Sequence, residues 1–232
     1  MLKLLFKAVV ASAAAAFFCV GCDDSNTVLS PLCADGISSK CGPDDGDGGN
    51  PSVTKGTFLD SRDGKVYKKV TIGGKTWMAE NLNYDIPNVT TDVCYKNSAD
   101  SCAKYGRLYN WNTAMNGASS PPSNASVVRG ICPVGWHIPS DAEWTALWNA
   151  VGEQAGEKLK SKSGWNSGGN GTDEFGFSAL PGGYRNSDGS FHNAGDGGYW
   201  WISAQDMYWA LDSVYWINFD EGILFSVRCV QG

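Results

Sequence analysis

The spacing of apolar residues in the middle of the chain predicts one amphipathic helix. Apolar side chains recur there at i, i+3, i+4 and i+7, which is the pattern of one helical face. These positions are Trp144, Leu147, Trp148 and Val151. Ser140 is a good N-cap, Glu143 completes a capping box with it, and Gly152 ends the run. The pattern therefore predicts a central helix at about 140–151, whose tryptophans help to build the core.

Shorter apolar runs on either side of this helix predict strands joined by tight turns. Val66–Ile72 and Lys75–Met78 flank Gly73-Gly74, a two-residue hairpin signal. The other predicted strands are Tyr105–Trp111, Tyr199–Ser203, Met207–Leu211, Val214–Phe219 and Leu224–Val230. A short helix or turn is predicted at Asn112–Asn116, and a second short helical piece at Gly156–Ser161. The fold class expected from this order is α+β, loop-rich, with mostly antiparallel strands.

Residues 1–21 have the pattern of an export signal. Lys3 and Lys7 precede the apolar run Ala8–Val20, which is shorter than a typical membrane-spanning helix. Phe18–Cys22 resembles a bacterial lipobox, in which the last cysteine is diacylated and becomes the new N-terminus. We therefore expect a lipoprotein signal peptide with lipid on Cys22. A secretory signal without lipid is the alternative.

Residues 22–55 read as a spacer between this signal and a domain at 56–232. The spacer has few large apolar residues, and GPDDGDGGNP occupies positions 42–51. Such a segment buries too little surface to fold alone. Its aspartates lack the spacing of an EF-hand, so a solvated acidic linker is expected there. The whole chain carries a net charge of −6 and no basic cluster, which argues against nucleic acid as a partner.

Six cysteines remain if Cys19 leaves with the signal and Cys22 takes the lipid. They are Cys33, Cys41, Cys94, Cys102, Cys132 and Cys229. An even number in an exported chain favours disulfides, of which six cysteines allow 15 pairings. Short spacing favours Cys33–Cys41 and Cys94–Cys102. Zinc is not expected, because no Cys-x₂-Cys pair survives processing and only two histidines are available.

Several long motifs then occur in a fixed order. They are WMAENL (77–82), CY (94–95), CAKYGRLYNW (102–111), CPVGWHIPSDAEW (132–144), GFSALPGGYR (176–185), GYWW (198–201) and FSVRC (225–229). Together they resemble the Fibrobacter succinogenes major paralogous domain, from about Thr57 onward. That family is in turn similar to the C-type-lectin-like fold of the formylglycine-generating group.

This resemblance carries several implications. It implies that the two ends of the domain meet, which would place Cys132 near Cys229. It also implies a lipid-anchored protein outside the cytoplasm, at the outer membrane or the cell surface, from a family of many paralogues without an assigned activity. The sequence leaves open whether the domain faces the periplasm or the exterior.

Tests for catalytic chemistry lead us to expect a protein that is not an enzyme. Formylglycine-generating enzymes need a redox-active cysteine pair in the C-terminal part, where this chain has Cys229 alone. No Gly-x-Ser-x-Gly motif occurs, His192 reads as a solvated loop residue, and no pair of acids has a spacing typical of glycosidases. A divergent formylglycine-generating enzyme is the remote alternative. No cofactor is expected, with calcium at Asn218 and Asp220 as a weaker alternative.

The remaining functional signal is a concentration of aromatic residues near the C-terminus. Seven tyrosines and tryptophans lie between positions 199 and 216. One face of each strand suffices for a core, so surplus aromatics are available to stack on sugars or to line a protein interface. The candidate ligand-binding residues are Trp201, Tyr208, Trp209, Tyr215 and Trp216. We expect recognition of a polysaccharide or a surface protein. A structural envelope lipoprotein, with both sheet faces covered by loops, is the alternative.

Overall fold

The computed structural model describes residues 53–118, 127–203 and 222–232, together with the backbone of four short strands outside them. Contacts divide the chain into two units, Met1–Gly48 and Gly49–Gly232. The first unit contains β1 (Cys19–Val20) paired with β2 (Leu29–Ser30). The predicted lipid site Cys22 and the predicted pair Cys33–Cys41 lie outside the described residues. No helix among the residues described is long and apolar enough to cross a bilayer.

The second unit is a mixed α+β structure in which short helices alternate with strands. Its strands are β3 (Thr54–Leu59), β4 (Val66–Ile72), β5 (Lys75–Met78), β6 (Asp92–Val93), β7 (Leu108–Asn110), β8 (Trp136–His137), β9 (Gly182–Arg185), β10 (Phe191–Ala194), β11 (Tyr199–Trp201), β12 (Met207–Ala210), β13 (Ser213–Trp216), β14 (Leu224–Ser226) and β15 (Val230–Gln231). Its helices are α1 (Ala99–Tyr105), α2 (Trp111–Met115), α3 (Asp141–Val151) and α4 (Ala155–Leu159), with a 3-10 turn at Tyr95–Asn97.

The first sheet has the strand order β3-β4-β5-β15-β8. Gly73 and Gly74 form the turn between β4 and β5 with φ values of 58° and 78°, so the hairpin has the predicted boundaries. Val230 of β15 pairs with Trp77 on one side and His137 on the other. A segment from the end of the sequence therefore lies between two strands from much earlier in the chain.

The second sheet has eight strands and branches at β14. One edge of β14 pairs with β7, which continues to β6. β14 also pairs with β9 through Leu224 and Arg185, and in parallel with β11 through Ser226 and Trp200. β10 extends the sheet beyond β9, whereas β12 and β13 extend it beyond β11.

The central helix α3 begins with the predicted capping box. The Ser140 hydroxyl accepts a hydrogen bond from the Glu143 N–H, and the Glu143 carboxylate accepts one from the Ser140 N–H. Trp144, Leu147 and Val151 are buried, and Gly152 ends the helix with a φ of 76°. The prediction of this helix is confirmed, because its determinants are local.

Two sequence expectations around residue 100 differ from the structure. The segment between Cys94 and Cys102, expected to be a polar loop, contains the start of α1. The strand predicted at 105–111 is shorter, since Gly106 adopts a φ of 76° after α1 and Trp111 already begins α2. Cys94–Cys102 is a disulfide that joins the 3-10 turn to α1.

Two hydrophobic clusters fill the second unit, one on each side of β11. Trp200 lies in the cluster that contains Trp144, whereas Trp201 lies in the cluster that contains the Cys132–Cys229 disulfide. Both sulfur-bearing residues of this disulfide are fully buried. Cys132 therefore lies next to Cys229, as the family resemblance implied.

Candidate functional site

A hairpin formed by β9 and β10 presents two stacked rings. Tyr184 pairs with His192 across the hairpin, and their rings stack with centroids 5.3 Å apart. The turn closes where the Asn186 N–H donates to the Ser190 carbonyl oxygen. Both rings are half-buried. His192, expected in a solvated loop, thus belongs to an ordered strand, because the turn residues between Tyr184 and His192 bring the two strands into register.

Tyr199 of β11 extends this pair across the sheet. Its ring meets Tyr184 edge-on at 5.1 Å and stacks on Phe225 at 5.7 Å. The Asn193 side-chain amide donates a hydrogen bond of 2.8 Å to the Tyr199 hydroxyl. Tyr199 is half-buried, whereas Phe225 is only 3% exposed and supports the other rings from below. We call Tyr184, His192, Tyr199 and Phe225 the aromatic face.

Polar groups border the aromatic face. Ser190 Oγ lies 2.7 Å from His192 Nε2 and also donates a hydrogen bond to Asp188. Hydrogen bonds from the side chain and backbone of Ser190 lower the pKa of Asp188, so its carboxylate stays charged. Partial burial, with Tyr199 and Asp188 nearby, raises the pKa of Tyr184. The face thus combines aromatic rings with a charged acceptor at its edge.

Trp201 does not belong to an exposed binding surface. Its side chain is 1% exposed, and its indole N–H donates a hydrogen bond of 2.6 Å to the Tyr109 carbonyl oxygen. Its ring lies 4.6 Å from Phe225, within the core. Trp201 is therefore removed from the candidate set, because both sides of β11 face buried clusters rather than one.

The strand register places two of the other predicted residues on the same side of the sheet as the aromatic face. Trp201 pairs with Tyr208, and Tyr208 pairs with Tyr215. Directly paired residues share one side of a sheet, as do residues two apart on one strand. Tyr199 and Trp201 are two apart, so by backbone register positions 208 and 215 lie on the side of the sheet that carries Tyr199.

The same register places Trp209 and Trp216 on the opposite side. Trp209 pairs with Trp200, and Trp216 pairs with Met207, two residues before Trp209. The predicted set therefore divides between the two sides of the sheet. Sequence reasoning missed Tyr184 and His192, although the NSDG turn between them is a signal that a hairpin would bring the flanking segments together.

The buried histidine His137 and the carboxylate of Glu143 form hydrogen bonds and ion pairs within the fold. His137 Nε2 lies 2.9 Å from a Glu143 oxygen, and Lys75 also pairs with that carboxylate. Burial alone would raise the pKa of Glu143, but the hydrogen bonds from His137, Ser140 and Lys75 outweigh it and lower the pKa to about 2. The described ranges contain no group of three His, Cys, Asp or Glu side chains arranged for a metal. Asn218 and Asp220 lie outside those ranges.

Comparison with known proteins assigns the domain to a family. Residues 70–231 match the model of the Fibrobacter succinogenes major domain. No curated protein and no solved structure matches the chain. Since the family match spans more than half of the sequence, the chain belongs to the Fibrobacter succinogenes major domain family.

Proposed function

We propose that this protein is a non-catalytic recognition module that binds a polysaccharide through the aromatic face. The observation that carries the proposal is the contact between the half-buried rings of Tyr184, His192 and Tyr199. A row of such rings matches the apolar faces of successive sugar rings, and tyrosine combines an apolar ring with a polar hydroxyl.

The rings are held in place before any ligand arrives. Phe225 supports Tyr199 from below, Asn193 holds its hydroxyl, and the hairpin register holds Tyr184 against His192. A prearranged surface loses little side-chain entropy on binding, which leaves more of the contact energy for affinity. Asp188 at the edge accepts hydrogen bonds from hydroxyl groups, the donors that every sugar offers.

The proposal includes the location of the protein. Cys22 would carry lipid, residues 22–55 would act as a spacer, and the domain would lie outside the cytoplasm at the outer membrane or cell surface. The antiparallel sheets and few helices support a C-type-lectin-like fold as part of the same proposal. The Cys132–Cys229 bond supports a non-catalytic role, because a bonded sulfur is not a nucleophilic thiolate.

A glycan array that includes plant polysaccharides tests the proposal with the full chain. We expect Tyr184→Ala and Tyr199→Ala each to weaken binding at least tenfold, as for a central aromatic contact worth about 2 kcal/mol. Tyr95→Ala is the matched control. Tyr95 is also half-buried, but its ring packs on Phe191, which pairs with Arg185 rather than with Tyr184.

Three results would contradict the proposal. Absence of binding to every glycan would favour a structural envelope lipoprotein, and binding only to a surface protein would assign the face to a protein partner. An equal loss for Tyr95→Ala and Tyr184→Ala would show that the ligand does not distinguish the two sides of the hairpin.

A further inference from the structure

A cleft of about 230 Å³ lies on another part of the second unit. It is bounded by the start of β4, residues 80–83 and the end of α1. The lining residues that matter for its chemistry are Lys65, Tyr67, Glu80, Asn81, Lys104 and Tyr105. Its volume is below the usual range for drug-sized ligands, about 300–1,000 Å³, so it accommodates a single small ring.

Asn81 gives the cleft a fixed floor. Its side-chain amide donates to the Tyr105 carbonyl oxygen at 2.8 Å, and its oxygen accepts from Trp200 Nε1 at 2.8 Å and Arg228 Nε at 3.0 Å. Asn81 is only 5% exposed. The polar side-chain atoms of Asn81 thus already have hydrogen-bond partners. A ligand would therefore be recognised by the residues that form the walls of the cleft.

A buried cation lies directly behind this floor. Arg228 is 0% exposed, and its described hydrogen bonds go to three neutral oxygens, on Asn81, Phe177 and Ser178. Burial lowers the pKa of Arg228 to about 9, against the opposing effect of Asp173 and Glu80. The guanidinium still carries its charge at neutral pH, and it makes the potential at the cleft more positive.

The walls add two ammonium groups and one carboxylate. Lys65 donates to the Asn83 carbonyl oxygen and pairs with Asp63 at 3.1 Å, which leaves one of its three N–H donors for a ligand. Lys104 Nζ lies 4.7 Å from the centre of the Tyr105 ring. Glu80 accepts the Lys68 N–H through one carboxylate oxygen. The lining charges sum to +1, in a chain of net charge −6.

We propose that this cleft binds a hexuronate, a single sugar ring that carries a carboxylate. Lys65 and Lys104 bind the carboxylate, Glu80 accepts hydrogen bonds from ring hydroxyls, and Tyr105 offers an aromatic surface to the ring. A simple inorganic anion would use the lysines alone, and a neutral sugar would use only Glu80 and Tyr105. This site is separate from the aromatic face and does not rest on the function proposed for that face.

Isothermal titration calorimetry of the full chain with sodium galacturonate tests this inference. We expect binding that weakens with added salt, and affinities for galactose and inorganic phosphate at least tenfold lower. Lys104→Gln should reduce galacturonate affinity about tenfold, as for the loss of one charge-assisted contact. Lys69→Gln is the matched control, because Lys69 lies on β4 but does not line the cleft.

Three outcomes would overturn the inference. The first is no heat of binding with galacturonate, and the second is phosphate or galactose bound as tightly as galacturonate. The third is a Lys104→Gln variant with unchanged melting temperature and unchanged affinity. Tyr184→Ala separates the two proposals, since it should leave galacturonate binding intact while it weakens binding of polysaccharide to the aromatic face.

Discussion

Removal of the Cys132–Cys229 disulfide should destabilise the domain more than removal of Cys94–Cys102. The first bond joins residues 97 positions apart, whereas the second joins residues eight positions apart. A disulfide lowers the conformational entropy of the unfolded chain, and this loss increases with the logarithm of the number of residues in the loop that the bond closes. The two bonds of one molecule thus provide a matched pair for the same perturbation.

The free energy by which each disulfide stabilises the domain follows from the length of the loop that it closes. A loop of about 100 residues corresponds to about 4.7 kcal/mol of stabilisation, and a loop of about 9 residues to about 2.6 kcal/mol by the same relation. A difference of about 2 kcal/mol moves the melting temperature of a domain of this size by about 4–8 °C. Cys132 and Cys229 are also fully buried, so their replacement adds a packing loss.

The assay compares Cys132→Ala/Cys229→Ala with Cys94→Ala/Cys102→Ala by thermal unfolding without reductant. Non-reducing peptide mapping of the wild-type chain establishes the pairing independently. Equal melting temperatures for the two double variants would refute the loop-closure argument. A Cys132 peptide linked to Cys94 or Cys102 would refute the pairing, and with it the position of the final strand.

Three further predictions concern the core, pH and the membrane anchor. Trp144→Ala should cost about 3–5 kcal/mol, the usual range for truncation of a buried large aromatic, whereas the exposed Thr145→Ala should melt within a degree or two of wild type. Similar melting temperatures for both variants would contradict the burial of Trp144. Because the pKa of Glu143 falls from 4.5 to about 2 on folding, its stabilising effect should be complete above about pH 4.5 and disappear as the pH falls towards about 2. Glu143→Gln should flatten that part of the stability profile, and an unchanged slope in acid titrations followed by circular dichroism would contradict the role of its pairing with His137. Cys22→Ala should release the chain from membrane fractions or block its processing, and an unchanged mature mass with unchanged membrane partition would contradict the lipid anchor.

The elements that are predictable from the sequence are those with local determinants. Helix α3 follows from Ser140, Glu143 and Gly152, all within a few residues of its ends. The β4–β5 hairpin follows from Gly73-Gly74, because both residues need positive φ. No residue far away in the chain is required for either prediction.

The features that the sequence does not predict depend on contacts between segments that are far apart in the chain. Trp200 and Trp201 are both buried because β11 lies between two clusters, and no local pattern distinguishes this from a strand with one exposed side. The sequence gives no sign that Arg228 is buried. Its guanidinium donates a hydrogen bond to Asn81, which lies 147 positions earlier in the chain. The aromatic face likewise requires Phe225 to lie under Tyr199, which only the branched sheet brings about.

The position of β15 between β5 and β8 has a consequence for how the protein is made. Trp77 already pairs with Val70 of β4, but neither Trp77 nor His137 has its β15 neighbour until Val230 has left the ribosome. Such long-range pairing also slows folding, because large loops must close before the contacts that stabilise them form. During synthesis the first sheet therefore lacks the strand between β5 and β8 until the last part of the domain has been made. The native arrangement of the first sheet can thus form only after β15 has been synthesised.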